Sequence, residues 1–501
     1  MSPRAGRPFA CDNIRTTQKL GANLLKRSPK IEQLLFRKIE LWVLIVVSIG
    51  AVIAMILFGW ISRQHTLLAE ESSFGKFGDL VTWAADGPEI IERVIEHLKR
   101  EVIVKGETSP NAAAEQRFKG ARGFEFHFEP NTRPELGYLL INRSLADGRA
   151  SSELWDLNAQ ERVHQWQLTG VEEVWKKSVF SSKKIDLLID KTGSRFVAFH
   201  AFLNPNGHLL THSQDTPLVE IDLCSDIRIF QDALPFHHSI EQDHNGNFWV
   251  PGLIDPSPLD KGNGFFRDDA LIQISPRGDI LTKVSVASIL KKNGLNYLIN
   301  GAGPHNFANA DPLHLNDIEP VKEDGPFWKA GDLFLSLRNL SMILLYRPSE
   351  EKVIWYRRGP WLHQHDVDVI SNHEISVFDN NLGLDTARSS LDFMLGSSAA
   401  INQLLVYDFR EAAVTAPWRA GFENLSIKGT IGGLSTVIGS EIVVEETAYG
   451  RLAQFDKDGS VAWVFFNQDE DGVIYALHWS RVISRGLGDR VRRALETSNC
   501  S

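Results

Sequence analysis

The chain has 501 residues, 43% of them hydrophobic, and a formal net charge of −10. That is enough apolar material for a large core or two domains, and the acid excess gives no basic footprint for nucleic acid. Its three cysteines show no Cys-x-x-Cys or Cys/His zinc spacing, which argues against a cysteine-built metal framework.

Residues 1–40 form a basic tail with Arg4, Arg7, Arg15, Lys19, Lys26, Arg27, Lys30, Arg37 and Lys38. Residues 41–61 (LWVLIVVSIGAVIAMILFGWI) carry no charge and are long enough to cross about 30 Å of hydrocarbon. Trp42 and Trp60 sit near the ends, where aromatic rings favour the interface. The positive-inside rule puts the tail in the cytoplasm and the chain after Ile61 outside it. A cleaved signal peptide fits less well, because the basic region and the apolar run are both too long. The expectation is a single-pass anchor in the inner (cytoplasmic) membrane. Cys224 and Cys500 then share an oxidising space, where they either pair or stand as two thiols.

Residues 62–135 read as a short, mainly helical connector, with a helix opening at Pro88 and a loop over 108–114. From 136 to 490 short β-rich runs alternate with Gly, Asn and Asp turns. About six loose units recur, each with an inner strand, polar turns and an outer strand often ending in Trp. This predicts an all-β domain, a six-bladed β-propeller, with residues 491–501 as a C-terminal tail. The run Val473–Trp479 is a candidate to close the ring. Inserts over 287–309 and 382–400 read as loops or covers.

Several inner strands are headed by histidine: His238 in HHSIEQDHNGNFWV, His314 in LHLNDIEPV, His365 in QHDVDVISNHEISVF, and less clearly His200. Residues at one point of a repeat converge in a ring. Asn316, Asp317, His237 and His363 stand beside them, and Arg338 lies on an apolar strand where burial without an anion is costly. Imidazoles, an amide and a guanidinium facing one channel suit a tetrahedral oxyanion. Three other readings stay open. A histidine ring can hold a metal for oxygenase or lyase chemistry. A propeller can bind a sulfated ligand or a partner without catalysis. The group handled could also be an acyl or a phosphoryl group.

The stretch 237–381 resembles the bacterial arylsulfotransferases of the periplasmic, cofactor-independent type, which use no nucleotide sulfate donor. The pieces that carry the resemblance are HHSIEQDHNGNFWV, LHLNDIEPV, GDLFLSLRNLSMILLY, KVIWYRRGPWLHQHDVDV and ISVFDNN. It implies a six-bladed propeller and sulfuryl transfer from an aryl sulfate ester to a phenol, in two half-reactions through a sulfated histidine. It implies His365 as the nucleophile, with His314, Asn316 and Arg338 holding the sulfuryl oxygens. His238 would bind the same group or move a proton, while His237, His363 and Asp317 would line the substrate site. No cofactor, metal or nucleic acid is implied. The partners would be two small aromatic molecules, plus the membrane through the N-terminal helix. The anchor, the 62–135 segment and the absence of a nearby cysteine pair depart from the pattern, which leaves the oligomeric state and the substrates open.

Overall fold

The computed structural model describes residues 40–68, 74–78, 80–85, 87, 117–177, 196–255, 257–258, 266–300, 311–382, 401–429, 431–470 and 472–498. The chain divides into two units, Met1–Gly87 and Pro88–Ser501.

In the first unit α1 spans Leu41–Leu68. Its apolar part, Leu41–His65, has a mean hydropathy of 2.9 and is long enough to cross a membrane. The helix runs past the expected end at Ile61 because nothing from Ser62 to Leu68 breaks it: there is no Gly or Pro in ISRQHTLL. Beyond it, Phe74 packs edge-on against Trp60 at a centroid distance of 5.4 Å. The basic tail up to residue 39, Cys11, the helix expected from Pro88, the loop over 108–114 and Cys500 lie outside the described residues.

The second unit is an all-β, propeller-like arrangement. One sheet holds β2 (Tyr138–Ser144), β3 (Ala150–Asp156), β4 (Glu161–Gln167) and β25 (Arg481–Ile483), in the order β25-β2-β3-β4. The register is Tyr138↔Ile483 and Leu140↔Arg481, so a strand from the end of the chain completes a sheet opened near its start. The closing strand is therefore Arg481–Ile483. The expected run Val473–Trp479 forms no named strand and contributes two isolated bridges, Leu477 to Arg143 and Ile474 to Gln468.

A second sheet runs β13 (Leu315–Pro320), β14 (Leu333–Leu337), β15 (Met342–Arg347) and β16 (Lys352–Arg358). A third runs β17 (Val367–Val369), β18 (Glu374–Asp379), β19 (Gln403–Asp408) and β20 (Ala413–Thr415). A fourth holds β21 (Leu434–Ile438), β22 (Glu441–Glu446), β23 (Arg451–Asp456) and β24 (Val461–Phe466). To β24 it adds β1 (Gly123–Phe126), with Gly123 opposite Phe466. The stretch read as the end of a helical connector is thus an outer strand of this sheet.

These four sheets have the size of single blades; six such sheets were expected. The strands of two expected units are instead joined into one eight-stranded sheet. It contains β5 (Phe199–Leu203), β6 (Leu209–His212), β7 (Thr216–Ile221), β8 (Ile227–Phe236), β9 (Glu241–Gln242), β10 (Phe248–Leu253), β11 (Asp269–Ile274) and β12 (Ile280–Ser285). The bridge is the pairing of Gly252 with Phe236. Gly252 permits it, since a Cβ there would stand 3.2 Å from the Pro235 carbonyl and 2.9 Å from Ile272.

Burial grades across the second sheet. Strands β13 and β14 are buried along their whole length, while β16 alternates between half-buried and exposed. This is the gradient of blades whose inner strands line an axis and whose outer strands meet water. Core clusters fill the spaces between successive sheets; one joins Phe334, Ile343 and Leu345 to Val367, Val377 and Tyr407. The outer-strand tryptophans Trp166 and Trp463 are fully buried, as repeat positions predict.

The segment read as a free tail is also structured. A helix over Arg485–Thr497 buries Val491 and seats Gly488 against Tyr138, whose hydroxyl donates to Asp489 at 2.7 Å. Within the insert over 287–309, Val286–Lys292 is helical, with Ser285 as N-cap. Residues 301–310 and 383–400 lie outside the described residues.

Candidate active site

Inner strands of successive sheets are tied to one another by the residue at one register position. Oγ of Ser239 accepts from the N–H of Ile318 at 3.2 Å. Oδ2 of Asp317 accepts from Val367 at 3.0 Å, and Oδ2 of Asp366 accepts from Ser435 at 2.9 Å. The residues immediately before these clamps are His238, Asn316 and His365. They occupy one level of the ring.

This corrects the alignment read from sequence, which put His238, His314 and His365 at equivalent points. Counting back from the clamp residues, His314 matches His363. Both adopt positive φ, 54° and 53°, as do His238 at 61° and His200 at 41°. Left-handed backbone is uncommon for residues with a Cβ, and such positions gather at functional sites.

His238 and His314 meet edge to face at 5.2 Å between centroids. Trp479, also at positive φ, stands among three of the imidazoles: 5.5 Å from His200, 5.9 Å from His238 and 6.4 Å from His365. It is 1% exposed. The sequence reading assigned it no role.

His365 is 2% exposed. Its Nδ1–H donates to Oδ1 of Asn380 at 2.6 Å. Asn380 is itself oriented, because its Nδ2 donates to the carbonyls of Gly429 at 3.0 Å and Gly432 at 2.8 Å. The unprotonated nitrogen of His365 is therefore Nε2, which accepts from the N–H of Gly432 at 3.2 Å. Gly432 has φ +67°, and a Cβ there would meet Thr447 at 2.9 Å, so glycine is required beside the ring. Burial pushes the pKa of His365 well below the ordinary imidazole value, and nearby Arg338 pushes it further. The ring is neutral.

Arg338 follows the buried strand β14, and its own pKa is lowered by burial. His363 is held at about 4 by burial, Arg338 and His314. His314 pairs through Nδ1 with Oδ2 of Asp311, and its backbone N–H donates to the same carboxylate at 3.1 Å. Asn316 is fully buried, and its Nδ2 donates to the Gln364 carbonyl at 3.1 Å.

Two expected substrate contacts sit elsewhere. Asp317 clamps Val367 and lines a cavity of about 180 Å³ with Glu241, Glu319, Asp366 and Asp368. Of the histidines named above, only His200 lines that cavity. His237 is fully buried behind His238, with its Nδ1 2.8 Å from Nδ1 of His238. Sequence reasoning missed Asn380, Asp311 and Trp479. Asn380 falls inside the quoted run ISVFDNN, and Asp311 three residues before His314. No sequence signal pointed to Trp479.

The model of the arylsulfotransferase (ASST) family matches residues 206–468. The chain belongs to that family. The matched range includes Asn316, Arg338 and every site histidine except His200, and membership supports an arylsulfotransferase activity for the chain. No curated protein matches the chain. Among solved structures, a protein of unknown function from Bacteroides caccae is 9% identical, with a TM-score of 0.39, covering 68% of this chain and 97% of that one. Virginiamycin B lyase from Staphylococcus aureus is 10% identical, with a TM-score of 0.30, covering 54% and 70%. Hydrazine synthase from Kuenenia stuttgartiensis is 12% identical, with a TM-score of 0.37, covering 65% and 75%. At these scores the likenesses carry no argument. Within this arylsulfotransferase-family chain Cys224 is disulfide-bonded, and its partner lies outside the described residues.

Proposed function

We propose that the protein transfers a sulfuryl group from an aryl sulfate ester to a phenolic acceptor by a ping-pong mechanism, with His365 as the group that becomes sulfated. The observation that carries this reading is the single defined tautomer of His365. A neutral imidazole, buried and oriented by Asn380, presents Nε2 as its only lone pair beside Arg338. Such a nitrogen is a competent nucleophile at neutral pH.

Nε2 attacks the sulfur of the donor ester. An N–S bond forms, the S–O(aryl) bond breaks, and the phenolate leaves as the anion and takes its proton from solvent. In the second half-reaction the acceptor oxygen attacks sulfur, its proton goes to a neighbouring neutral imidazole and on to solvent, and the N–S bond breaks to restore His365. Arg338 supplies a fixed positive charge to the sulfuryl oxygens, and a buried site makes that charge more effective. Asn316 and His314 would supply further donors or a proton. Before attack, Nε2 must give up its bond from Gly432. The released N–H is then available to a sulfuryl oxygen.

A membrane-anchored enzyme with this domain in the periplasm fits two observations: α1 is long and apolar, and Cys224 is disulfide-bonded, which suits an oxidising compartment. The test is incubation with phenyl sulfate and no acceptor, followed by mass spectrometry. A gain of one sulfuryl group mapped to His365 is expected. Full turnover by the His365→Ala variant, or no adduct with several aryl sulfates, would sink the proposal.

A further inference from the structure

Behind His238 runs a buried chain of polar groups that the reaction as described does not use. Nδ1 of His238 lies 2.8 Å from Nδ1 of His237. Nε2 of His237 lies 3.4 Å from Oδ1 of Asp269, in ion-pair range. His237 and Asp269 are both fully buried. Asp269 is fixed from two other directions: its Oδ1 accepts from Nε of Arg267 at 3.1 Å, and its Oδ2 accepts from the N–H of Leu315 at 2.7 Å. Arg267 is anchored in turn by a bidentate pair with Asp215, at 3.0 and 2.9 Å.

We infer that Asp269 and His237 are positioning residues that fix the tautomer of His238 and make it the base for the acceptor half-reaction. The inference rests on the sulfuryl-transfer reading above. Only one of the two facing Nδ1 atoms can carry a proton when both rings are neutral. If His237 carried it, its Nε2 lone pair would face the carboxylate oxygen of Asp269, and the two would repel. Asp269 therefore places the proton of His237 on Nε2, and the Nδ1 lone pair of His237 accepts from Nδ1–H of His238. This leaves Nε2 of His238 unprotonated.

Burial pushes His238 well below the ordinary imidazole value, and the neighbouring imidazoles add to the effect, so it is neutral at rest. For Asp269, burial pushes the carboxyl up, but Arg267 and His237 outweigh it and hold the group at about 2. The carboxylate is thus charged throughout the working range. When a phenol attacks the sulfated His365, its proton moves to Nε2 of His238. The resulting imidazolium keeps its Nδ1–H bond to His237, and the fixed charge of Asp269 lies one ring further on. Once the sulfated product leaves, the imidazolium gives this proton to solvent and His238 is neutral again before the next donor step. The arrangement follows a general rule that an imidazole base works best when a third group orients it.

The donor step with a strongly acidic leaving phenol needs little protonation, whereas transfer to a weakly acidic phenol needs the base. The experiment compares the full-length protein with His237→Phe, which keeps the ring and removes both nitrogens, and His237→Asn, whose Oδ1 can still accept near the Nδ1 position. Two rates are read: the 4-nitrophenol burst from 4-nitrophenyl sulfate, and single-turnover transfer from the sulfated protein to unsubstituted phenol. In His237→Phe the transfer rate should fall about 100-fold and depend more steeply on the acidity of the acceptor phenol. The burst should fall by less than about tenfold, and His237→Asn should recover much of the transfer rate. Wild-type transfer and pH profile in His237→Phe, or equal losses in both steps, would overturn the relay. So would equal damage in the Asn variant. An absent burst and adduct in the wild-type protein would instead overturn the underlying transferase reading, and the relay with it.

Discussion

Nδ1 of His365 donates its proton to Oδ1 of Asn380 across 2.6 Å, and that bond decides which ring nitrogen keeps its lone pair. Replacing Asn380 with alanine removes the acceptor and frees the ring to change tautomer. Turnover with phenyl sulfate should fall by roughly 10²-fold or more, since an orienting partner of this kind is commonly that important. Asn380→Asp tests the electrostatic side. A carboxylate there raises the pKa of His365, so the ring is protonated at low pH and cannot attack. The pH–rate profile should then gain an acidic limb that the wild-type protein shows only at much lower pH. A flat profile in Asn380→Asp, with unchanged rates in Asn380→Ala, would refute the assignment.

Arg338 acts on the same ring through its charge. Its charge lowers the pKa of His365 and of His363. Arg338→Ala should reduce kcat/KM for aryl sulfates by about 10²- to 10³-fold, the usual loss for a charge aimed at transition-state oxygens. It should also move the acidic limb of the rate profile to higher pH, because a repelling cation has gone. Arg338→Lys should recover part of the rate only, since an ammonium lacks the planar fork. Equal kinetics in all three proteins would remove Arg338 from the mechanism.

Trp479 packs against His200, His238 and His365, and its next two residues, Ser480 and Arg481, line the carboxylate cavity. It therefore stands between the imidazoles and a polar space. A sulfated histidine is at risk of hydrolysis, and a large ring at its floor excludes water. Trp479→Ala would cost about 3–5 kcal/mol of stability through the cavity it leaves, so Trp479→Phe is the better probe. With the acceptor omitted, sulfate release per donor consumed should rise several-fold in Trp479→Phe. An unchanged ratio of hydrolysis to transfer would make the role of Trp479 purely structural.

The β-rich texture, the histidine-headed inner strands and Arg338 were legible because burial and turn chemistry act locally. What sequence could not give was register and partnership. Reading His314 against His365 aligned like with like. The interstrand clamps at Asp317 and Asp366 align Asn316 with His365 instead, and LNDIE set over QHDVD contains that alignment once the aspartates are matched. The blade count failed for a related reason. The pairing of Phe236 with Gly252 fuses two strand sets into one sheet, and no local propensity announces a single pair of backbone partners. Trp479 lies far along the chain from the other site residues and is held at the site by long-range bonds, its N–H to Glu445 at 2.8 Å and its carbonyl from Nδ2 of Asn142 at 3.0 Å.

The carboxylates below Trp479 give the fold a pH dependence of definite sign. Burial, then the charge of Glu241, raises Asp368 to about 7. Asp317, Glu319 and Asp366 are raised well above the ordinary carboxyl range, with burial the leading cause in each. A raised carboxyl keeps its proton in the native state after the unfolded chain has lost it. From the ordinary carboxyl value near ~4 up to about 7 for Asp368, the native state binds more protons than the unfolded one, so stability falls as pH rises. The stability these groups contribute is complete below that window and lost above it. Thermal melting followed from pH 4.5 to 8 should show a declining Tm. Glu319→Gln and Asp368→Asn should each flatten the decline and raise stability at pH 8 by on the order of 1 kcal/mol. Neither carboxylate shares Asp317's clamp on a neighbouring strand, so neither substitution removes a bond that ties the sheets together. A Tm that rises with pH, or an Asp368→Asn protein less stable than wild type at pH 8, would contradict this account.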